Sequence, residues 1–158
     1  MTETIALKEQ YLREAQFALF GCQMVEETLK STLMYVREIN LIIPTEFIPI
    51  DKADDELDEL PLGALIKLYE RAFPNSSVTL SLKALRPERN HCAHRALILC
   101  FMDVVKNDFS LQDEFSRVEC IRKQAWLCFE LLKADMQSAA LRLDGVRTDS
   151  PTTKADLG

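Results

Sequence analysis

Both histidines of the chain and three of its arginines fall in one ten-residue stretch, Arg86-Pro87-Glu88-Arg89-Asn90-His91-Cys92-Ala93-His94-Arg95. A histidine, with an ordinary pKa of about 6.5, can take or give a proton at neutral pH. A guanidinium can hold two oxygens of one phosphate, and an amide can orient either partner. A base, a permanent cation and an amide this close together describe a site for a phosphodiester. Proline is unfavourable inside a helix but well placed at its first position, so the sequence predicts a new helix from Pro87 to about Lys106. That start would put Arg89 to His94 in the first two turns, where unpaired N–H groups and the helix dipole favour an anion.

On that helix residues four apart differ by about 40° in direction, which lines up Arg86, Asn90 and His94 in one row. His91 points about 60° away from His94, and Arg89, about 140° away, can still curl toward a ligand with its long side chain. The catalytic candidates are therefore Arg89, Asn90 and His94, with Arg86, His91 and Arg95 as substrate contacts. Two other readings are open. The Arg/His cluster could be a set of satisfied surface or interface polar residues, and His91, Cys92 and His94 could be borderline metal ligands. A structural zinc site needs a fourth ligand at suitable spacing, and Cys100 lies more than one turn beyond His94, so no metal and no cofactor is expected.

The run Arg89-Asn90-His91-Cys92-Ala93-His94 resembles the ribonuclease motif of the HEPN superfamily, whose name abbreviates nucleotide binding in higher eukaryotes and prokaryotes: arginine, a polar residue, then histidine on the same helix. Ala96 stands where the commonest form of that motif has tyrosine. A long first helix, and a motif near the start of the helix before a long last one, also look like HEPN bundles. The resemblance implies a metal-independent endoribonuclease with a toxin or defence role. In such an enzyme the ribose 2′-OH attacks the adjacent phosphate, leaving a 2′,3′-cyclic phosphate and a 5′-OH. It implies Arg89 on the phosphate, Asn90 as orienter and His94 as proton carrier. It also implies a symmetric homodimer with two motif helices face to face, and a cognate antitoxin protein as a further partner. Many members of the superfamily are non-catalytic, so the alternative is a HEPN-like dimer that binds a nucleotide or a partner protein in the same cleft.

The elements that must position these groups read as helices throughout. Four glycines and six prolines in 158 residues, with Leu, Ala, Glu, Lys and Arg dominant, favour an all-α domain, an up-and-down bundle of four to five helices. Apolar residues recurring at threes and fours predict helices over about 3–39, 61–73, 78–85, 87–106 and 111–143. Leu12, Leu19, Leu29, Leu65, Leu82, Leu99, Ile121, Trp126 and Leu131 are the expected core. The acidic run 51–59, with six acids against Lys52, reads as a solvated loop that brings charge to the next helix start; the alternative is a mimic of nucleic-acid charge that docks on the basic stretch. One domain is expected over residues 1–145, followed by a disordered polar tail, 146–158.

Charge and cysteine use set the outer bounds. A net charge of −6 argues against a general coat of positive potential for nucleic acid, yet between Lys83 and Arg95 four cations face only Glu88. The five cysteines are odd in number and show no CxxC pair, and four of them sit among apolar residues as buried thiols do, which implies a reducing compartment. With neither a signal-like N-terminus nor a long apolar run, the expectation is a cytoplasmic protein with no membrane segment.

Overall fold

The structure, a computed structural model, describes residues 2–44, 46–96, 98 and 108–149. Among them the chain is an all-α bundle: α1 (Thr2–Ile42), α2 (Asp54–Asp58), α3 (Leu62–Ala72), α4 (Val78–Asn90), a single π-helical turn (His91–Ala96) and α5 (Asp108–Asp149). No described helix is long and apolar enough to cross a membrane.

The two long helices form the frame. The buried stripe of α1 runs Tyr11, Ala15, Ala18, Cys22, Val25, Leu29, Leu33, Val36, Ile39, and that of α5 runs Leu111, Val118, Ile121, Ala125, Cys128, Leu132. Each repeats at threes and fours, so one face of each helix is apolar along its length. Two threonines inside the α1 stripe stay satisfied by bonding one turn back, Thr28 Oγ1 to the Met24 carbonyl and Thr32 Oγ1 to the Thr28 carbonyl, both at 2.7 Å. Gly21 lets the helices approach closely, since a Cβ there would lie 3.1 Å from the Ala125 Cβ.

Cross-helix partners give the directions. Glu14 pairs with Arg122 at 2.6 Å, and Ile39 packs with Leu143 and Val146, so α1 and α5 run parallel. Glu70 pairs with Lys83 at 2.6 Å while Gly63 meets Arg86, which makes α3 and α4 antiparallel. Ser81 meets Gln124 and Glu88 meets Arg117, which makes α4 and α5 antiparallel. Alternation through α3, α4 and α5 returns the last helix to the direction of the first.

Several local expectations are corrected. Pro87 does not start a helix: α4 runs through it without a break and continues into the π turn. Leu82 and Leu85 before the proline and Cys92 after it are all fully buried, so one continuous rod puts both sides of Pro87 into the core. The acidic run is not a plain loop either. Its middle forms α2, in which the Glu56 carboxylate accepts from the Ala53 N–H at 2.8 Å, Leu57 is buried, and Asp54 pairs with Arg37 at 2.8 Å. The last helix continues to Asp149, past the expected domain end at 145, because Val146 packs on Ile39 and Leu143. The remaining tail, 150–158, lies outside the described residues, as do 97 and 99–107 of the helix expected up to Lys106 and, with them, Leu99.

Of the expected core, Leu29, Leu65, Leu82 and Ile121 are buried, while Leu12, Leu19 and Trp126 are half-buried on the flanks. Leu131 is 40% exposed. It sits one position off the stripe through Cys128 and Leu132, and that offset of about 100° turns it toward solvent.

Candidate phosphate site

The predicted row is divided by the fold. Arg86, Arg89 and Asn90, from the last turn and a half of α4, meet the first turn of α3 and line a concavity of about 260 Å³ with Pro61, Leu62, Gly63, Ala64 and Lys67. The close approach falls at Gly63, where a Cβ would come within 2.7 Å of the Arg86 guanidinium. Only a glycine lets that guanidinium lie flat on the start of α3.

The start of α3 is itself an electropositive surface. Its N-cap, Pro61, offers no side-chain acceptor, and the first turn contains no acid. The Ala64 and Leu65 amides donate to the Pro61 carbonyl at 2.8 and 3.2 Å. The Leu62 and Gly63 amides are left as first-turn donors with no intrahelical acceptor. Lys67 and Arg86 have no ion-pair partner among the described residues, so their charge is not cancelled locally. Arg89 is committed in part: its Nε donates to Glu26 Oε1 on α1 at 2.7 Å. That bond ties the Arg89 guanidinium to α1, while Arg89 still lines the concavity. Asn90, exposed at the rim, carries the neutral amide. Electropositive amides, two uncompensated cations and one anchored arginine make a surface whose charge and donors complement an oxyanion.

The two histidines separate. His91 is buried, 9% exposed, and its Nε2 lies 2.8 Å from Glu114 Oε2 on α5. It ties the π turn to the last helix and is withdrawn from the solvent, so its expected role as a substrate contact is not what its position offers. His94 is exposed on the π turn. It lines no part of the concavity, and the single row of Arg86, Asn90 and His94 expected of one regular helix is interrupted where i→i+5 bonding widens the turn. Single π turns occur often at functional sites, and this one covers His91 to Ala96, the histidine half of the motif. The Arg95 side chain lies outside the described residues.

Cys92, between the histidines, is fully buried, and burial, helped by Glu88, pushes its thiol up to about 11. It stays protonated at neutral pH. Glu88 itself is held by Arg117 through two hydrogen bonds of 3.0 and 3.2 Å, and this fork also raises the Arg117 guanidinium above its ordinary range. With Lys83 bound to Glu70, the four cations counted in the sequence reduce to one wholly uncompensated member, Arg86, among those whose side chains are described.

Sequence reasoning missed Lys67 and Gly63. Both belong to α3, about twenty residues before the motif, and only the antiparallel packing of α3 on α4 brings them to Arg86. The usable signal was the pair of small residues Gly63-Ala64 two positions after Pro61, in a helix start without an acid. No known protein family, curated protein or solved structure matches this chain.

Proposed function

We propose that this chain binds RNA phosphate in the concavity formed by Lys67, Arg86, Arg89 and Asn90, and that with His94 it acts as a metal-independent endoribonuclease of HEPN type. The observation that carries the reading is the Arg86 guanidinium lying against Gly63 at an uncapped, acid-free helix start, with Lys67 beside it and neither cation in an ion pair among the described residues. In the cleavage step the ribose 2′-OH gives its proton to His94 as its oxygen attacks phosphorus. The bond to the 5′-oxygen breaks, and that oxygen takes a proton from water. The products are a 2′,3′-cyclic phosphate and a 5′-OH. Arg86 and Arg89 stabilise the charge that builds on the phosphoryl oxygens.

A second reading, binding of a nucleotide or RNA without cleavage, is favoured by the position of His94 outside the concavity and by the Glu26 bond on Arg89. Incubation of purified protein with an oligoribonucleotide in EDTA separates the two. Cleavage that His94→Ala lowers ~10²–10⁴-fold without weakening binding supports the enzyme. Binding without cleavage, lost in Arg86→Ala, supports the second reading. On the enzyme reading a toxin role follows: induced expression arrests growth, and His94→Ala relieves the arrest.

A further inference from the structure

The outward stripe of α1 carries an order of charges that the bundle does not use. Glu9, Arg13, Gln16, Phe20, Gln23, Glu27 and Lys30 recur at alternating spacings of four and three, opposite the buried stripe, and all but Lys30 are exposed. Such spacing keeps one face of a helix in line over about 32 Å. At its middle is an apolar patch, Phe17 at 50% and Phe20 at 49% exposure, with Arg13 and Gln16 around a shallow concavity of about 610 Å³. The patch continues onto α5, where Trp126 packs on Phe20 at 6.1 Å between ring centres and Phe129 packs on Trp126 at 5.5 Å.

We infer that this face pairs with the same face of a second copy, the two α1 helices antiparallel about a two-fold axis near Phe20. The charge order selects this occupant and this direction. About such an axis Arg13 meets Glu27, Glu9 meets Lys30 and Phe17 meets Met24, so each cation faces an anion and the aromatic centre faces itself. A parallel pair in register would set Arg13 on Arg13 and Glu27 on Glu27. Among the described residues of one chain Glu27 pairs with its neighbour Lys30, at 2.9 Å, and Arg13 has no ion-pair partner. A closed isologous contact needs one self-complementary patch, with an apolar centre and a charged rim, and the stripe has both parts. The inference does not rest on the phosphate site. It also differs from the face-to-face arrangement of motif helices, because the π turn adjoins the opposite, buried side of α1 at Cys22.

Sedimentation velocity on the full chain tests the pairing. The wild type should be a dimer at micromolar concentration, and Phe20→Glu a monomer with an unchanged circular dichroism spectrum. Arg13→Glu and Glu27→Arg should each weaken the dimer about tenfold or more, by setting like charges opposite each other twice. An equimolar mixture of those two variants should regain a dimer, since in the mixed pair every contact is again between opposite charges. The double variant should regain it alone. A monomeric wild type, a dimer that survives Phe20→Glu, or a mixture that fails to associate would overturn the inference.

Discussion

At the scale of single residues, Gly63 and His91 take opposite parts. Alanine at Gly63 would collide with the tip of Arg86, a flexible side chain that can swing away, while removing a glycine from a helix favours folding by ~0.5–1 kcal/mol. Gly63→Ala should therefore leave the denaturation midpoint unchanged or higher and yet weaken oligonucleotide binding. A loss of stability without a loss of binding would mean that the guanidinium is not part of the site. His91→Ala should behave the other way: it removes a buried hydrogen bond to a carboxylate, costing ~1.5–3 kcal/mol in denaturant titration, with phosphate affinity retained. The motif pointed to Arg89, Asn90 and His94 as chemistry-bearing, but nothing in its spacing distinguished the buried histidine from the exposed one. That distinction comes from Glu114, twenty-three positions on, which accepts the first and leaves the second to solvent.

At the scale of elements, the periodic stripes were legible and the breakpoints were not. The apolar repeats of α1, α3 and α5 follow from composition and spacing alone, because each stripe is long enough to outweigh local preference. Pro87 was misread for the complementary reason: a local rule about proline gave way to burial of Leu82, Leu85 and Cys92 on one continuous rod. The cost of that proline remains, since its ring displaces the bond to the Lys83 carbonyl. Pro87→Ala should accordingly stabilise the fold, by up to about 3 kcal/mol, in a thermal melt. The stripes make a sharper test of position. Leu29→Ala, at a fully buried site, should cost ~2–5 kcal/mol, whereas Leu131→Ala, only a hundred degrees off its stripe, should cost far less. Equal losses would show that the face of α5 has been assigned wrongly.

At the scale of the whole molecule, burial and charge act in different regions. Cys22, Cys92 and Cys128 are buried thiols, pushed up chiefly by burial to about 12, 11 and 11 from an ordinary value of 9.0. A raised thiol pKa favours the folded state fully below about pH 9, and that contribution is lost as the pH climbs toward the folded values. The denaturation midpoint should fall between pH 9 and 11, and a midpoint that stays flat there would contradict the assigned burial. Charge is the other term. The chain carries a net −6, so the RNA affinity proposed for it has to come from a local cluster, and the segregation of acids into 51–59 and cations into 83–95 made such a cluster visible in the sequence. What segregation could not show is which cations are cancelled. Lys83 and Arg89 are taken up by Glu70 and Glu26, and the cation that completes the cluster, Lys67, belongs to a helix outside the motif. The measurement that bears most directly on the phosphate site is fluorescence anisotropy of a labelled single-stranded oligoribonucleotide, titrated with wild type and Arg86→Ala at several salt concentrations. Two uncancelled cations on the phosphates, Lys67 and Arg86, predict a slope of log affinity against log salt of about −1.4. Arg86→Ala should flatten that slope and lower the affinity about tenfold, with the helical spectrum unchanged. Equal affinities and equal slopes for the two proteins would contradict the assignment.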